Sequence, residues 1–197
     1  MSNGFTTEKI GQALIVRFCR PEIRSPLSVH VLEALDRVLE NETGEDVLAL
    51  IFTGMRDVFA SGADLREIAE VTGTTAPAFA LRGQQLFSKI ASLPQLTIAA
   101  VNGFCFGGAL DLALSCDRRI ASPNALFSHP GGDLGIMTGW GGTQRLPRLV
   151  GEAMALEMFL SGKRVSAADA LRIGLADLID VDPLAAALKI VQSGREK

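Results

Sequence analysis

Two stretches of this sequence close an apolar run with small residues and then open a helix. They are Phe59-Ala60-Ser61-Gly62-Ala63-Asp64-Leu65 and Asn102-Gly103-Phe104-Cys105-Phe106-Gly107-Gly108. The first turn of a helix has backbone N–H groups with no carbonyl to pair with, and the helix dipole adds partial positive charge at the same end. Each stretch is therefore a place where negative charge is stabilised. If the two ends face one point they make an oxyanion hole, in which each donor contributes about 3 kcal/mol of transition-state stabilisation. Chemistry through the enolate of a thioester requires that device, although strand-to-helix turns are common in α/β proteins and most bind nothing. Just beyond the second stretch, ALDLALSC (residues 109–116) is apolar nearly all round and reads as a buried helix, so the acid inside it, Asp111, stands out. Burial would raise its pKa and make it a proton donor or acceptor near neutrality. A carboxylate in a first helical turn also stabilises the helix dipole by about 0.3–1 kcal/mol with no chemistry at all.

The elements that must position these groups alternate. Residues 13–19 (ALIVRFC) are strand-like, residues 29–39 repeat apolar side chains at helical spacing, and residues 47–53 (VLALIFT) form a near-continuous apolar strand. A second round follows, with a helix over 64–71, a Thr/Gly/Ala break at 71–76, a longer helix over 79–91 and a strand over 96–101. The third carries the turn at 102–108 into the helix at 109–116 and a short strand at 118–121, before the glycine-rich tract 131–142 and helices to the end. This rhythm predicts an α/β fold in one domain, with a core over about 10–150 and a helical part over about 151–197.

Composition narrows the partners. At 197 residues and 48% hydrophobic, the chain suits one sizeable core. A net charge of −3 offers no counterion-release term for nucleic acid or an anionic membrane, so an anionic ligand needs a local basic pocket. No apolar run approaches the roughly 20 residues of a membrane span, and residues 1–9 have no leader-like pattern, which together point to a cytoplasmic protein. Cys19, Cys105 and Cys116 lack metal-ligand spacing and, with only His30 and His129 to help, read as reduced packing residues. His30, in an early helix, reads as structural.

The segments FASGADL (59–65), AAVNGFCFGGALDLALSCD (99–117) and GWGGTQRLPRLVG (139–151) resemble, in order and spacing, the three diagnostic stretches of the crotonase (enoyl-CoA hydratase/isomerase) superfamily. RPEIRSPLS (20–28) and SGKRVSAADALRIGLAD (161–177) are similar to the family's first strand-to-helix turn and its later helical pair. The resemblance implies a crotonase-like spiral of repeated β-β-α units, trimers or dimers of trimers, an acyl-CoA thioester as ligand, and no cofactor beyond the coenzyme A of the substrate. It places the oxyanion donors at the backbone amides of Ala63 and Gly108. Arg24 and Arg66 match cations that lie near the coenzyme A phosphates, or else are solvated surface charges. Ser61 matches a residue whose backbone carbonyl meets the adenine.

The sequence then departs from the pattern. Hydratases of this family use two glutamates; Asp111 holds the first position one methylene short, a displacement of the size that can cost about a hundredfold in rate. The second falls on Gly131, a substrate-facing position with no side chain. Hydration needs one group to activate water and another to protonate the α-carbon, normally shared between the two acids. If residues 128–134 are extended, His129, Gly131 and Asp133 share a face and His129 or Asp133 can substitute. Trp140, the only tryptophan, either shapes the acyl pocket or packs the core. The family's further helices over the pocket are reduced here to residues 183–197, which leaves the pocket open, covered by a neighbour, or cut from a longer natural chain. Three functions are thus expected: a hydratase/isomerase with Asp111 as acid/base, a decarboxylase or thioester hydrolase on the same oxyanion hole, or a catalytically weakened acyl-CoA-binding subunit.

Overall fold

The computed structural model describes residues 3–194. It opens with an antiparallel hairpin, β1 (Phe5–Ile10) and β2 (Ala13–Phe18). Then comes α1 (Val29–Asn41), started by Ser28, whose hydroxyl accepts from the Val31 amide. Three repeats follow. The first is β3 (Ala49–Thr53), β4 (Val58–Ala60) and the helices α2 (Leu65–Ala69) and α3 (Ala76–Ala91). The second is β5 (Leu96–Val101), β6 (Phe104–Phe106) and α4 (Gly108–Ser115). The third is β7 (Arg118–Ala121), β8 (Leu126–Ser128), a 3-10 turn at Pro130–Leu134 and α5 (Gly142–Val150). Beyond it lie α6 (Glu152–Ser161), β9 (Val165–Ser166), α7 (Ala167–Arg172), β10 (Leu178–Ile179) and α8 (Pro183–Gln192).

The first strand of each repeat joins a six-stranded sheet, β1-β2-β3-β5-β7-β10, and the second joins a four-stranded sheet, β4-β6-β8-β9. This is the spiral of β-β-α units. Within the large sheet β2, β3, β5, β7 and β10 run parallel, so each strand must be apolar on both faces. Leu14, Val16, Leu50, Phe52, Ala99 and Val101 face the main core with α1, α3 and α4. The alternate residues, including Ile15, Ile51 and Ile98, form a second layer under α8. Two-sided burial explains the near-continuous apolar runs, and it makes the large sheet a rigid floor.

The short sheet sets the site. Because β4 pairs with β6 in parallel, Val58 with Phe104 and Ala60 with Cys105, the turns that follow them lie side by side. A Cβ added to Gly62 would fall 2.6 Å from the Gly108 nitrogen, so only glycine lets these turns pack. Gly62 and Gly107 also have positive φ, 86° and 55°.

Several boundaries differ from expectation. The helix expected at 64–71 is shorter because Asp64 caps it, accepting from the Arg66 amide at 2.9 Å. The one expected at 79–91 begins at Ala76, where Pro77 suits a first turn. Residues 128–134 are not extended: β8 stops at Ser128, and Pro130 starts a 3-10 turn, so His129, Gly131 and Asp133 do not share a strand face. Asp133 lies on the surface near Gly162 rather than toward the other two. The part after 150 is not purely helical, since β9 and β10 extend the two sheets.

Candidate active site

A cavity of about 400 Å³ opens where the two glycine turns meet, and Ser61, Ala63, Gly107, Gly108, His129 and Gly131 all contribute to its wall. Gly108 supplies the first amide of α4, an N–H with no carbonyl one turn back to receive it. The Ala63 nitrogen is 3.4 Å from where a Cβ on Gly108 would stand. The two amides expected to hold an oxyanion are thus in neighbouring backbone on one wall. Leu65, Ile68, Phe79, Ile136, Met137 and Phe159 make the rest largely apolar, as an acyl chain would require.

Trp140 is part of this wall and braces it. Its indole lies flat between Gly83 of α3 and Gly108 of α4, leaving no room for a Cβ on either. The ring is 3% exposed, packs edge-on against Phe87 at 5.8 Å, and donates Nε1–H to the Phe79 carbonyl at 3.3 Å. The alternatives of pocket shaping and core packing are therefore one role.

Asp111 is fully buried in α4 and is not part of the cavity wall. Thr138 and His129, which are on the wall, stand next to it. The Thr138 hydroxyl donates to Asp111 Oδ2, and His129 Nε2 faces Asp111 Oδ1 at 3.3 Å. Both atoms are buried and neither has a hydrogen-bond partner, so the two unsatisfied groups stand in contact without a formed hydrogen bond between them. Burial pushes the Asp111 carboxyl up to about 7, against the downward pull of the Thr138 hydroxyl, the Arg145 charge and the Trp140 backbone amide. Burial alone takes His129 down to about 4. A Cβ on Gly142 would collide with Asp111 Oδ1, so the carboxylate is held between two helices with no slack.

The remaining expected residues fall around this centre. Gly131 is on the wall, and a Cβ there would stand 2.5 Å from the Ile136 carbonyl oxygen. Arg24, in a left-handed turn, holds its guanidinium 5.5 Å over the Phe104 ring. Its loop meets the Ser61 turn, where Ser61 N–H donates to the Ser25 carbonyl at 3.4 Å and Leu27 N–H to the Gly62 carbonyl at 2.7 Å. Arg66 is exposed, off the wall, and paired with Asp64, Nη2 to Oδ2 at 2.6 Å. The three cysteines are free thiols, and His30 is exposed on α1. Among the described residues no cluster of three His, Cys, Asp or Glu side chains suits a metal ion, and no helix is long and apolar enough to cross a membrane.

Thr138, Arg145 and Gly83 were not singled out from sequence. The one signal for Thr138 and Arg145 was position, inside or beside the glycine-rich tract, and Gly83 had none.

Comparison with known proteins shows the family and the fold. Residues 9–189 match the family model described as enoyl-CoA hydratase/isomerase. The chain is 41% identical over 183 residues to a short-chain-enoyl-CoA hydratase of Clostridium acetobutylicum, covering 92% of this chain and 70% of that protein. It is 42% identical over 154 residues to a probable enoyl-CoA hydratase of Bacillus subtilis, covering 77% of this chain and 60% of that one, so it spans well under the full length of both. The crystal structure of enoyl-CoA hydratase from Thermoplasma volcanium superposes with a TM-score of 0.92 at 32% identity, covering 98% of this chain and 77% of the other.

Proposed function

The chain belongs to the enoyl-CoA hydratase/isomerase family, and on that premise we propose that it binds an enoyl-CoA and moves a proton along its acyl chain. The observation that carries this reading is the adjacency of the Ala63 and Gly108 backbones on one cavity wall, fixed by glycine at 62 and 107 and backed by Trp140. The thioester oxygen sits between the two amides, which strengthen their hold as it gains charge in the enolate. Asp111, one shell behind, is the proton reservoir of the site. Arg24 and Arg66 lie near the phosphates and the Ser61 carbonyl near the adenine; the meeting of the Arg24 loop with the Ser61 turn supports this for Arg24 and Ser61.

An acyl-CoA ligand is supported by the family and by the apolar wall. With it go no cofactor beyond the coenzyme A of the substrate, a trimer or pair of trimers, and a cytoplasmic setting. The exposed Leu156 and Leu160 on α6 are in keeping with contact between copies. Decarboxylation and thioester hydrolysis have no counterpart in the names of the relatives described above.

The test is a panel of coenzyme A esters followed by mass spectrometry. Conversion of short enoyl-CoA esters is expected, with malonyl-CoA and β-ketoacyl-CoA left intact. Turnover confined to the latter two would overturn the reading.

A further inference from the structure

Among the described residues on the cavity wall, His129 carries the one side chain that titrates; the others are apolar, glycine, or the hydroxyls of Ser61 and Thr138. A carbon acid bound there meets no other side chain able to take up a proton and keep it. His129 is also built in: it is 3% exposed, its ring packs on Phe159 of α6 at 5.0 Å, and Nε2 is turned inward to Asp111 Oδ1 at 3.3 Å. With Nε2 buried and facing Asp111, Nδ1 is the nitrogen left for a ligand.

We propose that His129 is the catalytic acid/base of this site, that Asp111 is a positioning residue acting through it, and that the pair carries one proton between two carbons of an enoyl-CoA. The result is a double-bond shift without addition of water. This rests on the reading of the cavity as an enoyl-CoA site. In a β,γ-enoyl thioester the α-carbon–hydrogen bond breaks and its electron pair moves into the carbonyl, giving a dienolate whose oxygen lies at Ala63 and Gly108. The proton goes to Nδ1 while the Nε2 proton passes to Asp111 Oδ1. On return, the γ-carbon takes the Nδ1 proton, Asp111 gives its proton back to Nε2, and the double bond ends between the α- and β-carbons. Nothing is oxidised or reduced, and no co-reactant is consumed.

The relay answers a physical difficulty. A buried imidazolium is costly, and burial favours neutral His129 and protonated Asp111, so the carboxyl stores the proton while the imidazole supplies the reach. The charged neighbour acting on Asp111 is Arg145 of α5; Cys105 and Cys116 are thiols kept neutral by burial. Water addition needs a second group to activate the water, and Gly131 has none to offer.

The experiment follows but-3-enoyl-CoA in D2O by NMR, with crotonyl-CoA hydration and butyryl-CoA binding measured alongside. Wild type is expected to form crotonyl-CoA with part of the abstracted hydrogen returned to the γ-carbon. His129→Gln should lose at least about 100-fold in kcat with butyryl-CoA affinity kept within about threefold. Asp111→Asn should lower kcat and abolish the acidic limb of its pH profile. Added imidazole should raise the rate of a folded His129→Gly protein, which also covers the case in which the glutamine variant is unstable. A His129→Gln rate near wild type, no response to imidazole, or crotonyl-CoA hydration faster than the double-bond shift would each overturn the proposal. Failure of wild type to bind butyryl-CoA would instead strike the underlying reading of the cavity.

Discussion

Thr138 reaches from the cavity wall to donate its hydroxyl to Oδ2 of Asp111, the carboxylate that stands behind that wall. Burial raises the Asp111 pKa to about 7 and this hydrogen bond opposes the rise, so its loss must move the value further up. If the ionised carboxylate is the working form, Thr138→Val will shift the acidic limb of the kcat profile to higher pH. Thr138→Ser, which keeps the hydroxyl, will leave it in place. A limb that stays where it was in the valine variant would separate Thr138 from the chemistry.

The same burial predicts a stability cost with a definite sign. Asp111 is raised from its ordinary 3.8, so the folded state binds more protons than the unfolded one and stability falls as pH rises from there to about 7. His129 is lowered from 6.5 to about 4, and its contribution runs the other way: stability is lost as pH falls through that window. Asp111→Asn removes only the first slope. Its melting temperature relative to wild type should therefore climb between about pH 4 and pH 7, with a gain on the order of a few kcal/mol at the alkaline end. Thermal melts across pH check this, and a constant difference would show that Asp111 folds without a desolvation cost.

Trp140 should report on the oxyanion wall. It is the only tryptophan, buried between Gly83 and Gly108, and a methyl group at 83 has no space. Gly83→Ala is expected to destabilise by about 1–3 kcal/mol and to move the indole emission to the red. Combined with Trp140→Leu, the double variant should lose clearly less than the sum of the singles, because both act on one contact. Additive losses in denaturant unfolding would mean that the two side chains do not share that space.

What the sequence made legible depended on how local the signal was. Ala63 and Gly108 work through backbone, and backbone sites are marked by small residues where an apolar strand meets a helix. Asp111 was visible as one acid in an apolar helix. Its partners were not, because His129 approaches from a different element across a turn that Pro130 creates, and a period-2 reading of residues 128–134 presupposed an extended chain. Strands β4, β6 and β8 are only three residues long, too short for periodicity, and β1 has the burial pattern of an exposed edge, with one buried residue in six. The second sheet, which brings the two turns together, was therefore implied by family resemblance rather than by pattern.

Gly131 is where the chain departs most from a two-carboxylate site, and the structure predicts that one substitution will not reverse the departure. A Cβ at 131 would stand 2.5 Å from the Ile136 carbonyl oxygen, in a turn closed by the Ile136 amide donating back to the Gly131 carbonyl at 2.9 Å. Any side chain at 131 must therefore open this turn, at a cost of about 1–3 kcal/mol. Gly131→Glu is expected to lower the melting temperature and to add no measurable hydration of crotonyl-CoA, while Gly131→Ala, with the same Cβ and no carboxylate, should destabilise by a similar amount. Equal losses would place the cost in the backbone turn; a large loss for glutamate alone would place it in the buried charge. A stable Gly131→Glu protein with a strong gain in hydration would show instead that the turn yields readily and that only the missing carboxylate separates this site from a two-acid hydratase.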